Sequence, residues 1–89
     1  MSKSVKVYST DYCPYCDRAK ALLRKKGVDF EDIDVTHSPE QRDYLIEATG
    51  RRTVPQIFIH GTPIGGCDEL YALDRAGKLE TMLNGSSTT

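Results

Sequence analysis

Tryptophan is absent from this chain of 89 residues, which also holds only two histidines and three cysteines. Acidic and basic residues nearly cancel to a net charge of −1, so no broad basic field is available to hold nucleic acid. No uninterrupted apolar run approaches a membrane span, and Met1-Ser2-Lys3-Ser4 leads towards a strand rather than into the apolar core of a signal peptide. These absences predict a cytoplasmic protein with no membrane and no nucleic-acid partner, and a monomer is expected. An odd set of three cysteines in a reducing compartment makes no structural disulfide framework. The length suits one hydrophobic core, and a single domain over 1–89 is expected, with the polar stretch 84–89 as a frayed end.

What is present gathers first around Cys13-Pro14-Tyr15-Cys16. Thiols three positions apart in a first helical turn lie on neighbouring positions of one face, close enough to join as a disulfide. Proline suits the first helical position, where its fixed φ fits and its missing N–H loses no intrahelical bond. Cys13 then falls at the helix cap, facing unpaired N–H groups and the positive end of the helix dipole, which favours the nucleophilic thiolate. Cys16, one turn in and on the core side, acts second. A C-x-x-C can instead be half of a zinc site, but zinc asks for four ligands. The remaining candidates, His37, His60 and Cys67, stand singly with no second pair. The two histidines read as solvent-facing or hydrogen-bonded loop residues.

Hydrophobic periodicity places the motif. Residues 5–8 read as a strand, and 14–26 as a helix with Cys16, Ala19, Leu22 and Leu23 on one face, basic residues in its last turn and Gly27 after it. Residues 28–35 alternate apolar and acidic side chains, as a half-exposed strand does, and complete a βαβ unit with parallel strands. Ser38 with Gln41 marks a capped helix start, and the helix to Thr49 is expected to turn Tyr44, Leu45 and Ala48 inward before Gly50 stops it. Residues 56–60 form the most apolar strand, followed by a turn at Gly61-Thr62-Pro63, a short strand at Ile64 and an antiparallel hairpin. Helices over 67–73, with Leu70 and Leu73 inward, and over 78–83 close the chain.

Two further stretches carry candidate chemistry. Pro55 stands at the start of the apolar strand, where an ordinary loop proline is the commoner case and a cis bond the special one. There Val54 could offer its backbone N–H and C=O to an extended peptide. Gly65-Gly66 opens the helix that begins Cys67-Asp68. Without side chains the glycines admit a ligand close to the backbone, the helix start attracts a carboxylate, and Asp68 could accept from an ammonium group. An anion site beside a cation site suits the α-amino acid end of a small peptide. Cys67 itself reads as a buried helix-start thiol.

Taken together, Cys13-Pro14-Tyr15-Cys16 with Arg18-Ala19-Lys20, Thr53-Val54-Pro55-Gln56-Ile57-Phe58-Ile59 and Gly65-Gly66-Cys67-Asp68-Glu69-Leu70 resemble the glutaredoxins, and among them the small bacterial dithiol kind. The resemblance implies an α/β thioredoxin fold: a four-stranded mixed sheet flanked by three to four helices in the order β-α-β-α-β-β-α, with a cis peptide before Pro55. It implies a glutathione-dependent thiol-disulfide oxidoreductase acting on disulfide-containing or glutathionylated proteins, with Cys13 and Cys16 catalytic and no metal. It implies glutathione as cosubstrate in a groove where Tyr15 flanks the tripeptide and Val54 pairs with its cysteine backbone. Cys67 and Asp68 take the γ-glutamyl end, Arg42 meets the glycyl carboxylate, and Thr53, Pro55 and Gly66 complete the groove. The family usually carries a lysine three residues before the first cysteine, where this chain has Thr10 followed by Asp11. A carboxylate there opposes thiolate formation, so the helix terminus and Arg51 or Arg52 must contribute more. Two rivals share the dithiol: a thioredoxin-like reductase served by a flavoenzyme, and a module in which glutathione ligates an iron–sulfur cluster at Cys13, which Pro14 disfavours by analogy.

Overall fold

The structure, a computed structural model, describes residues 5–11, 13–51 and 53–83. Expectations for residues 1–4, Arg52 and 84–89 lie outside them. Along the chain run β1 (Val5–Ser9), α1 (Pro14–Lys25), β2 (Glu31–Asp34), α2 (Pro39–Thr49), β3 (Gln56–Ile59), β4 (Thr62–Gly65), α3 (Cys67–Arg75) and α4 (Leu79–Leu83). The sheet order is β2-β1-β3-β4, with β1 parallel to β2 and antiparallel to β3, and β3 antiparallel to β4. This is the four-stranded mixed sheet of a thioredoxin fold.

Alternation along the central strands builds a core on each sheet face. Val5 and Val7 of β1 and Ile57 and Ile59 of β3 pack with Ala19, Leu22 and Leu23 of α1 and with Leu70 and Leu79. Tyr8 and Phe58 point the other way and meet Val35 and Leu45. Helices α1 and α3 therefore cover one face and α2 the other. Lys26 ties the first layer at its rim, with its ammonium 2.6 Å from Asp74 of α3. The β3–β4 hairpin turns through His60 and Gly61, both with positive φ (51° and 82°), the pattern of a two-residue turn that matches strand twist. His60 is exposed and its Nε2 lies 3.2 Å from the Leu83 carbonyl.

Several local expectations change, among them the turn expected at Gly61-Thr62-Pro63, since Thr62 and Pro63 already belong to β4. The strand expected over 28–35 pairs only across Glu31–Asp34, because β1 offers partners only from Lys6 to Ser9; Val28 and Phe30 pack on the core without joining the ladder. In α2 Leu45 is buried, whereas Tyr44 and Ala48 are exposed. Tyr44 instead lies across the edge of the smaller core, its ring centroid 6.4 Å from Phe58 and 6.2 Å from Tyr8. The third helix runs two residues further than periodicity indicates, to Arg75. The capped start of α2 is as expected, with the Ser38 hydroxyl accepting from the Gln41 N–H at 3.4 Å, and Gly50 ends the helix at φ 72°. Among the described residues no helix is long and apolar enough to cross a membrane.

Candidate active site

Antiparallel pairing brings the three candidate stretches to one end of the sheet. Tyr8, near the end of β1, sits opposite Gln56 at the start of β3, so the loop leaving β1 and the loop arriving at β3 meet there. Ile57 in turn pairs with Gly65, which delivers Gly66 and Cys67 to the same end.

Cys13 caps α1 in extended conformation (φ −141°, ψ 95°), with Pro14 in the first turn. Its sulfur accepts from the Cys16 N–H at 3.1 Å and as a thiol donates towards the Val54 carbonyl at 3.7 Å. That contact joins residues far apart in sequence. All three cysteines are free thiols, 8%, 0% and 6% exposed for Cys13, Cys16 and Cys67. The outer sulfur thus faces a backbone donor and the inner one is sealed.

Burial pushes the Cys16 thiol up to about 12, reinforced by its hydrogen bond with Cys13, while the Thr10 backbone and the Lys20 charge pull the other way. Lys20 is held by Asp32 at 2.9 Å, and the buried Ser9 hydroxyl donates to the same carboxylate at 2.7 Å. Burial raises Asp32, but the Ser9 and Lys20 contacts outweigh it and the carboxyl lies below its usual range. Nothing in the sequence reading singled out this Ser9–Asp32–Lys20 chain beneath the dithiol; the signal available was a serine inside a strand and a lysine on the inner helix.

A raised Cys16 gives a pH dependence of known sign. The unfolded thiol ionises near its ordinary value of 9.0, whereas the folded one holds its proton to about 12. The folded state therefore binds more protons across that window, and stability falls as pH rises through it, by up to about 1.4 kcal/mol per pH unit. Below pH 9 the contribution is complete. Urea midpoints from pH 8 to 10.5 for wild type and Cys16→Ala are expected to diverge in slope. Parallel slopes would contradict the assignment to Cys16.

Pro55 follows a cis peptide bond from Val54, the special case rather than the commoner loop proline. Gln56, buried at 1% exposure, grips this loop through its Nε2, which donates to the Thr53 carbonyl at 2.8 Å. Its Oε1 has no partner among the described residues. Sequence reading used Gln56 only as the first residue of an apolar strand and missed this clamp. A glutamine leading an otherwise apolar run was the available sign.

The glycine pair also meets a constraint from the chain itself. A Cβ on Gly65 would meet the Glu69 side chain at 2.8 Å, and one on Gly66 would lie 3.0 Å from the Pro55 carbonyl. The close approach therefore comes from the chain itself. The Gly66 N–H is not free either, since it donates to Glu69 Oε1 at 2.8 Å. The other carboxylate oxygen of Glu69 meets Arg51 at 3.4 Å. The Gly66 bond above all, with Arg51 adding, holds Glu69 below the usual carboxylate range against the effect of burial. Arg51, one of the two arginines expected to support the Cys13 thiolate, pairs with Glu69 at the surface, and Arg52 lies outside the described residues.

These groups line a cavity of 210 Å³ bounded by Tyr15, Thr53, Val54, Pro55, Gly66 and Cys67, among others. Tyr15 and Asp68 are exposed on its rim. Arg42 is not in it. Its Nε donates to the Val35 carbonyl at 3.0 Å, and it lines a neighbouring cavity of 330 Å³ that shares Arg51 and Val54 with the first. Nine of the ten expected site residues thus cluster at Cys13, and the tenth is reached through the adjoining hollow.

A family model described as Glutaredoxin matches residues 5–64. The chain belongs to the glutaredoxin family. A glutaredoxin of Pseudomonas aeruginosa is 54% identical over 80 residues, covering 90% of this chain and 95% of that protein. Glutaredoxin 3 of Escherichia coli is 50% identical over 80 residues, covering 90% and 96%. Among solved structures, a buckwheat glutaredoxin–glutathione complex superposes with a TM-score of 0.87 at 37% identity, covering 93% of this chain and 78% of that one. Membership makes this chain a thiol oxidoreductase with a glutathione-linked redox role, and it agrees with the fold the resemblance implied.

Proposed function

We propose that the chain is a dithiol glutaredoxin that reduces protein–glutathione mixed disulfides and protein disulfides at the expense of glutathione. The observation that carries this reading is the Cys13 sulfur, capping α1 at the mouth of the cavity beside Val54, with a sealed second thiol one turn behind it. The tripeptide lies along the cavity: Tyr15 against one side, the Val54 backbone pairing with its cysteine, and Thr53, Pro55 and Gly66 forming the wall. Cys67 and Asp68 receive the γ-glutamyl end and Arg42 the glycyl carboxylate. Support for that placement comes from the shared cavity and from the buckwheat relative, whose structure is a complex with glutathione.

Chemistry then follows from thiolate attack. On a glutathionylated protein the Cys13 thiolate attacks the glutathione sulfur, the S–S bond breaks, and the protein cysteine leaves as thiolate. A second glutathione thiolate attacks the glutathione sulfur now on Cys13 and frees the enzyme as glutathione disulfide forms. On a protein disulfide, Cys13 forms a mixed disulfide. Cys16 loses its proton, attacks Cys13 Sγ and expels the protein thiolate; two glutathiones then reduce the Cys13–Cys16 bond. A family potential of roughly −200 to −230 mV places this couple near the glutathione pool. With three thiols and no structural disulfide framework, the reading is of a monomer at work in the cytoplasm.

The deciding experiment is reduction of a small glutathione mixed disulfide coupled to glutathione reductase. Turnover in the seconds range that depends on glutathione is expected. Reduction only by a flavoenzyme thioredoxin reductase, with none by glutathione, would overturn the reading.

A further inference from the structure

Adjoining the cavity that Tyr15 lines lies another, of 440 Å³, lined by Tyr15, Arg18, Cys67, Asp68, Tyr71 and Arg75. It shares Tyr15, Cys67 and Asp68 with the first, so the two hollows flank one wall beside the reactive sulfur. Helices α1 and α3 build it together. Arg18 lies with its guanidinium carbon 5.8 Å from the Tyr15 ring centroid, and the Tyr71 hydroxyl donates to the Arg18 carbonyl at 3.4 Å.

Two basic side chains, Arg18 and Arg75, line this one hollow. Lys20, Lys26 and Arg51 each face a carboxylate. Arg18 and Arg75, both exposed, have no carboxylate partner among the described residues. Asp74, next to Arg75 in sequence, is taken by Lys26 at 2.6 Å. Asp68 is the one carboxylate lining the hollow, and the proposed reading directs it to the ammonium of glutathione. Arg18 and Asp68 act on the Cys67 thiol with opposite signs, beneath a larger upward push from burial, which places both charges around the shared wall. With the tripeptide placed in the first cavity, the two arginines remain open in the adjoining hollow, across the shared Tyr15, Cys67 and Asp68.

We infer that the Arg18–Arg75 hollow docks an acidic segment of the protein substrate, next to the cysteine whose glutathione occupies the neighbouring cavity. The inference rests on the glutathione reading and adds a substrate class to it: glutathionylated proteins with Asp or Glu flanking the modified cysteine. Nucleic acid, the other polyanion, is disfavoured by the chain's net charge of −1. Exposed charges at a rim act mainly on encounter rate and are weakened by salt.

The test uses three synthetic peptides, each with one glutathionylated cysteine flanked by acidic, neutral or lysine residues, beside the mixed disulfide of glutathione and 2-mercaptoethanol. For wild type at low ionic strength, kcat/KM is expected to rank acidic over neutral over lysine, and the spread to shrink with added salt. Arg75→Gln is expected to cut the acidic preference about threefold and Arg18→Gln with Arg75→Gln about tenfold, while the small mixed disulfide is turned over by Arg75→Gln as by wild type. Equal rates on acidic and neutral peptides, or a preference that survives both substitutions, would overturn the proposal. Loss of the small-substrate reaction in wild type would instead strike the glutathione reading. Independently of turnover, the acidic peptide with serine for cysteine is expected to shift the amide signals of Arg18, Tyr71 and Arg75. No shift there would also overturn the docking site.

Discussion

Cys13→Ser is expected to remove turnover of both glutathione mixed disulfides and protein disulfides, a loss on the order of a thousandfold or more. Serine keeps the cap geometry: its oxygen can accept the N–H of Cys16 as the sulfur does at 3.1 Å. What it cannot do is ionise near neutral pH or form the disulfide through which every step passes. Cys16→Ser should separate the two routes. Its sulfur is fully buried and attacks only after Cys13 has bonded to a protein, so reduction of protein disulfides should stop. Reduction of glutathione mixed disulfides should continue within a few-fold, because glutathione itself completes that cycle. The paired variants are compared in the reductase-coupled assay with a mixed-disulfide peptide and with a disulfide-bonded protein. Equal residual activity of Cys13→Ser and wild type, or loss of both routes in Cys16→Ser, would contradict this division of roles.

In the proposed mechanism the charge around the dithiol bears on how the inner thiol would act. Burial holds Cys16 protonated, up to about 12 in the free protein, and part of that rise comes from Cys13 itself. In the proposed mechanism Cys13 is bonded to another sulfur when Cys16 attacks, and the upward contributions of Cys13 to the Cys16 thiol are then removed. Lys20 and the Thr10 backbone, which favour the thiolate, remain. The proposed first step would thereby favour ionisation of Cys16. Asp32, through its contact with Lys20 at 2.9 Å, fixes where that positive charge stands.

Much of this architecture was legible beforehand, and the particulars say why. Proline after Cys13, the spaced leucines and Gly27 define α1 from local signals alone, and these agree with the structure. The boundaries of β2 were not readable, because alternation of apolar and acidic residues continues beyond the four positions that find partners on β1. The inward placement of Tyr44 and Ala48 failed because the second core is small, and Leu45 is the residue of α2 buried in it, together with Tyr8, Val35 and Phe58. At the site, residue types and spacing pointed to the dithiol, to the Val54–Pro55 loop and to Gly66–Asp68. Long-range hydrogen bonds were invisible: Ser9 to Asp32 spans 23 positions, and Arg51 to Glu69 spans 18. The glycine pair was legible as a place of close approach, but sequence could not say that Glu69 and the Pro55 carbonyl are what approaches.

Leu23→Ala is expected to lower stability by about 2–5 kcal/mol. Leu23 is fully buried on α1 among Val5, Val7, Ile57 and Leu70, and truncation removes its transfer free energy while leaving a cavity the surrounding strands cannot wholly close. A domain of this size has about 5–15 kcal/mol in hand, so the variant still folds but with a midpoint lower by more than about 10 °C. Urea titration with an unchanged slope and a lowered midpoint is the confirming measurement. A loss below about 1 kcal/mol would mean that α1 is not held to the sheet as described. Function should follow in a particular way. The Cys13 cap, Cys16 and Lys20 all ride on α1, so loosening that helix exposes the buried thiol. Alkylation of Cys16 under native conditions should therefore accelerate in Leu23→Ala, at a temperature where the circular dichroism still reports a folded chain.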